Sequence, residues 1–106
     1  LGKFDSVGGA VFFNRESFFE GGGENEGFVS FGPEDSERFF RFSHLGYKVE
    51  RVPGALYHVN HFVGENSSSR NKFFNANHAI WDKVKQMSKA QLQKLVLGWT
   101  WAKSKQ

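Results

Sequence analysis

The chain has 106 residues, a formal net charge of +3 and no cysteine. That is room for one small domain with a modest core, and it excludes disulfide staples and thiolate metal sites. No apolar run approaches the roughly 20 residues that cross a bilayer, and no signal peptide is visible. The expected setting is therefore cytoplasmic, with any membrane association left to a longer parent protein, of which a chain starting at Leu1 reads as an excised part.

Val7 to Phe13, led by Gly8-Gly9, predicts a short buried strand. Asn14 is a good N-cap for a short helix over Arg15 to Glu20, which the run Gly21-Gly22-Gly23 ends. Residues 21–32 read as a loop with five glycines, the acids Glu24 and Glu26, and the aromatics Phe28 and Phe31. Pro33 suits a first helical position. Glu34, Asp35 and Glu37 fill the first turn, Phe39, Phe40, Phe42 and Leu45 the apolar side, and Gly46 the C-cap. A helix over about 33–45 follows.

Tyr47 to Val52 and Ala55 to Val59 predict two short strands around a Pro53-Gly54 turn. Residues 64–69 read as a polar loop. A helix is expected over about 70–86, with Phe73, Phe74, Ile80, Trp81 and Val84 on one side. Ser88 and Gln91 form a capping box for a last helix carrying Leu92, Leu95, Val96 and Trp99. The fold class expected is α/β: a small mixed sheet with about four helices, two of them a C-terminal pair.

Ten of the 13 phenylalanines precede residue 43. So many aromatics argue against disorder. They also exceed what so small a core hides, so part of the Phe-rich surface is expected to face a missing domain or to drive self-association. Residues 1–53 hold nine acids and six Lys or Arg; residues 54–106 hold two acids and eight Lys or Arg. The lysines fall mostly on polar faces of predicted helices, and no nucleic-acid motif accompanies them. A nucleic-acid partner is not expected.

The three carboxylates in Gly32-Pro33-Glu34-Asp35-Ser36-Glu37 have two readings. Acids in a first turn complement the helix dipole. They are also placed for chemistry: Glu34 and Asp35, adjacent on a helix, point about 100° apart, so one could take a proton while the other binds a hydroxyl. Glu37, two residues further on, need not face a cleft, and Glu37→Gln is expected to change little. His58 and His61 point to opposite faces if extended and converge only if the chain turns there. Imidazole is the commonest neutral metal ligand, but these two histidines with scattered acids make no recognisable closed-site spacing.

In order along the chain stand Gly8-Gly9, Arg15-x-x-Phe18, Gly22-Gly23-x-Asn25-Glu26-x-Phe28, Gly32-x-Glu34-Asp35-x-Glu37, Arg41, Leu45-Gly46-Tyr47 and His58-x-x-His61. This set resembles the C-terminal, acceptor-side part of a GT-A glycosyltransferase. It is similar to the galactosyltransferase C-terminal domain and to related bacterial glycosyltransferases. The likeness spans about residues 5–62 and is most specific at the G-x-E-D element. It implies an acceptor-side region over residues 1–62, with residues 63–106 a helical extension of the same partial GT-A domain.

The activity implied is inverting transfer of a sugar, galactose or an N-acetylhexosamine, from a nucleotide-diphosphate donor to a carbohydrate acceptor hydroxyl. By the resemblance Asp35 stands at the catalytic base, Glu34 at an acceptor-binding acid, and Phe31 where a Trp often contacts the acceptor. Gly32 and Gly23 complete the substrate-binding set. His61 falls on the ligand for a divalent cation, usually Mn2+, and His58 where another ligand can occur. Pro33 and Ser36 depart from a frequent Gly and Asp, and the chain has no Asp-x-Asp. The nucleotide-binding half is thus expected upstream, with the fragment alone inactive and weak for metal. The alternative reading is a non-enzymatic carbohydrate-binding or interaction module with a degenerate site.

Overall fold

Asn14 starts the first helix as its residue type suggests. Its Oδ1 accepts from the Ser17 N–H at 2.9 Å, and α1 runs Arg15–Glu20. The computed structural model describes residues 7–57, 59 and 61–104. After α1 come α2 (Glu34–His44), a single 3₁₀ turn (Glu65–Ser67), α3 (Phe74–Val84), α4 (Lys89–Leu97) and a short α5 (Trp101–Ser104).

The α/β expectation is corrected here: among the described residues no strand is formed. Residues 7–13, 47–52 and 55–59 each have the composition of a strand. A strand exists only when its N–H and C=O groups pair with a second extended segment, and among the described residues these segments form no such ladder, although the Leu56 side chain lies against Gly9. Phe12, Val52, Leu56, Tyr57 and Val59 are instead largely exposed. A Pro-Gly pair favours a type II turn, whose twist splays flanking strands rather than pairing them. Gly54 bends the chain with φ +122° without starting a hairpin.

Helix α2 is the centre of the molecule. It packs on α3 and α4, while α1 packs on α5. Its C-terminus closes as a Schellman motif: Tyr47 N–H donates to Phe42 O at 3.1 Å and Gly46 N–H to Ser43 O at 3.2 Å, with Gly46 at φ +98°. Phe42 gathers Phe13, Phe18 and Tyr47 at centroid distances of 5.5, 6.2 and 5.5 Å. Val84, Leu92, Val96 and Ala102 complete the buried apolar core. The Tyr47 hydroxyl donates to Glu20 at 3.2 Å; burial and then the Glu20 carboxylate raise its pKa, so the phenol keeps its proton.

Glu37 and Arg41 are fully buried, one turn apart on the inner face of α2. Arg41 Nε donates to Glu37 Oε2 at 3.0 Å. Its Nη2 donates to Gly23 O at 2.8 Å, and its Nη1 to Gly21 O. The guanidinium lies 5.0 Å from the Trp99 ring centroid, and Trp101 Nε1 donates to Gly22 O at 3.1 Å. The Gly21–Gly23 turn is therefore enclosed by Arg41 and the C-terminal tail. Gly21 is required there because a Cβ would overlap the Phe42 ring. The expected indifference to Glu37→Gln is also corrected: Glu37 is the counter-ion of a buried arginine.

Helix α3 starts four residues later than expected. The Asn71 side chain takes up local backbone, donating to Ser68 O and accepting from Phe73 N–H, which holds residues 70–73 in a turn. The Ser88–Gln91 capping box forms as read. Gly98 ends α4 before Trp99, and α5 was not foreseen.

Candidate active site

The loop carrying Phe31 is fixed by the C-terminal helices. Asn77, buried on α3, donates through Nδ2 to Val29 O at 2.7 Å and Phe31 O at 3.2 Å, and its Oδ1 accepts from Val29 N–H at 3.1 Å. Asn71 donates to the same Phe31 carbonyl at 2.8 Å. Gly32 lets this happen, since a Cβ there would sit 2.8 Å from Asn77 Cβ. Ser30, between the clamped residues, takes φ +65°, an unusual conformation for a residue with a side chain. Asn77→Ala should strip three hydrogen bonds from this loop and cost about 1–3 kcal/mol. Urea denaturation measures that loss. Faster amide exchange at Val29 and Phe31 would accompany it, and unchanged exchange would show that the loop holds itself.

Held this way, Phe31, Gly32 and Pro33 meet Val7 and Gly8 on one side and Asp35 and Ser36 on the other, around a pocket of about 270 Å³. The Asp35 carboxylate, 44% exposed, accepts from Arg38 Nη2 through Oδ1 at 2.8 Å. Its Oδ2 lies against Gly8, only 2.5 Å from where a Cβ would be. Arg38 is itself steadied: its Nη1 donates to both Glu24 oxygens at 2.9 and 3.1 Å, and its guanidinium lies 5.7 Å from the Phe13 ring centroid. One oxygen of Asp35 is thus oriented by an anchored arginine and the other lies against Gly8, with both residues lining the pocket. Phe31, 45% exposed, offers an apolar face beside it.

Glu34 precedes Asp35 but is not on the pocket wall. Its Oε2 is buried with no hydrogen-bond partner among the described residues. A carboxylate oxygen removed from water without a donor is costly and calls for one. Asp35, Phe31 and Gly32 therefore come together, with Glu34 alongside. Gly23 does not join them: it is buried in the turn held by Arg41. His61 is exposed, with Nδ1 2.9 Å from Phe62 O. His58 lies outside the described residues. Among the described residues no three His, Asp or Glu side chains converge as a metal site, so these residues alone do not fit a divalent ion.

Two residues of the site went unread in the sequence. Arg38 stands at i+3 from Asp35, a spacing that pairs side chains on a helix. Asn77 lies on the stripe Phe73, Ile80, Trp81, Val84, where a polar side chain must find partners inside.

Residues 4–65 match the family model described as the N-terminal domain of galactosyltransferase. That description agrees with the resemblance on the enzyme family and differs on which end of the enzyme the unit occupies. No curated protein and no solved structure matches the chain.

Proposed function

Because the chain belongs to the family described as the N-terminal domain of galactosyltransferase, we propose that it forms the acceptor side of an inverting glycosyltransferase. The observation that carries this reading is the pocket in which Asp35, oriented by Arg38, stands beside Phe31 and Gly8. A carboxylate held at one oxygen, half exposed and on a residue that lines the pocket, is suited to general-base work. Asp35 takes the proton of an acceptor hydroxyl as that oxygen bonds to the anomeric carbon of the donor sugar. The bond from that carbon to the nucleoside diphosphate breaks on the opposite face, and the configuration inverts. Glu34, the acceptor-binding acid that the resemblance implies, stands beside Asp35 but off the pocket wall, and would take a second acceptor hydroxyl only with its carboxylate turned toward the pocket. Phe31 lies against the apolar face of the sugar ring.

The donor, a nucleoside-diphosphate galactose or N-acetylhexosamine, is bound by an Asp-x-Asp-bearing half elsewhere in the parent protein. Mn2+ or a similar divalent cation would supply charge stabilisation at the diphosphate, held mainly by ligands of that half, with His61 as the ligand proposed from this chain. For this chain alone, calorimetry should therefore find Mn2+ affinity no tighter than millimolar. A micromolar site, or one that survives His61→Ala, would contradict the assignment.

The direct test is transfer by the parent protein from a panel of nucleoside-diphosphate hexoses to hexose and N-acetylhexosamine acceptors, with the product anomer read by NMR. Product of inverted configuration is expected. Acceptor binding without transfer from any donor would make the chain a carbohydrate-binding module.

A further inference from the structure

Beside the Asp35 pocket, on the next turns of α2, lies a second cavity of about 330 Å³. Its walls are mostly apolar, formed by Val7, Phe39, Phe40, the His44 ring and Trp81, with Ser36, Ser43 and Arg51 completing the lining. The rings are ordered against one another. Phe40 stacks on His44 at 3.8 Å and meets Trp81 edge-on at 5.6 Å. Phe39 remains 43% exposed. Val7 and Ser36 line both cavities, so the two are adjoining parts of one trough along α2.

The polarity of the trough changes along its length. At the Asp35 end stand a carboxylate, a serine hydroxyl and glycine backbone, suited to hydroxyl groups. At the Phe39 end the walls are mainly rings, with Ser43 and Arg51 as the polar exceptions, and rings gain most from covering apolar surface. The volume falls within the ordinary range for small-molecule sites, about 300–1,000 Å³. A sugar seated at Asp35 would direct a substituent across Val7 and Ser36 into this second cavity.

We propose that the Phe39–Trp81 cavity is an aglycone subsite, which selects acceptors whose sugar carries an apolar aryl or alkyl group at its reducing end. The inference rests on the acceptor-side reading of the Asp35 pocket and adds the chemical class of the acceptor. It also assigns a role to α3 at the acceptor, through Trp81.

The test compares methyl and phenyl glycosides of the same hexoses and N-acetylhexosamines, with phenol as a third ligand. Binding to the full chain is followed by saturation-transfer NMR and Trp fluorescence. The phenyl glycoside should bind roughly ten-fold or more tightly than the methyl glycoside, as burial of an aromatic ring implies, with saturation strongest at the phenyl protons. Phe39→Ala should bring the ratio to about one. Ser43→Phe, which fills the cavity from the α2 side, should do the same, and unchanged melting curves exclude misfolding as the cause. Equal affinities for methyl and phenyl glycosides would overturn the subsite and leave the sugar pocket standing. Phenol binding that Phe39→Ala abolishes, with no glycoside bound, would keep the cavity and overturn its link to an acceptor sugar. Absence of binding by every ligand would overturn both.

Discussion

With Asp35 as the proposed general base, Asp35→Asn is expected to lower sugar transfer by about 10²–10⁴-fold, the usual contribution of such a base. The substitution is nearly isosteric, and the amide oxygen of Asn still accepts from Arg38 Nη2, so the Glu24–Arg38 anchor stays in place. What is lost is the capacity to take a proton from the acceptor hydroxyl. The KM for the acceptor should change little beside kcat, because the residue acts on the reacting proton rather than on ground-state affinity. The cost in stability should be no more than the helix-dipole contribution, about 0.3–1 kcal/mol. Steady-state kinetics with a melting curve on the same preparation checks both halves. Near-normal turnover would reduce Asp35 to part of the charged start of a helix.

Glu37→Gln should do the reverse, unfolding the domain at lower temperature before it touches chemistry. The side chain is fully buried against Arg41, whose remaining donors hold the Gly21 and Gly23 carbonyls. Neutralising Glu37 leaves the arginine in a low-dielectric interior without a counter-charge. Breaking a buried pair from one side costs about 3–5 kcal/mol, a large part of the roughly 5–15 kcal/mol that holds such a domain together. The internal control is Glu24→Gln. Its partner Arg38 is also an arginine, but Glu24 is exposed, and such pairs contribute about 0–1 kcal/mol. Urea denaturation of the two variants should separate them by several-fold in ΔΔG. Equal and small losses would return Glu37 to the solvated role that its place in the sequence suggests.

The contrast between these two carboxylates shows where local sequence stops being informative. Asp35 and Glu37 are two residues apart in the same helical turn and look alike as first-turn acids. One faces a pocket and the other the interior, because α4 and the tail pack on one side of α2 and not on the other. Gly23 shows the same limit. A glycine run signals close approach without saying by what, and here Arg41 and Trp101 approach it rather than a substrate.

The sequence by itself determined the helices whose starts and ends are local. Asn14, the Ser88–Gln91 box and Gly46 act within one turn of the residues they cap, so their signals are complete in the chain. It also put Phe31, Gly32, Glu34 and Asp35 within five residues at a helix start, so they are near one another whatever the rest of the chain does. Only the tertiary structure decided the absence of strand pairing among the described residues, since a ladder requires a distant partner that no local pattern guarantees. It alone brought Gly8 against Asp35, Glu24 to Arg38 and Asn77 under the Phe31 loop. Those contacts cross 14 to 48 residues in the two hydrogen-bonded cases, and their geometry follows from which faces of α2 and α3 the core buries.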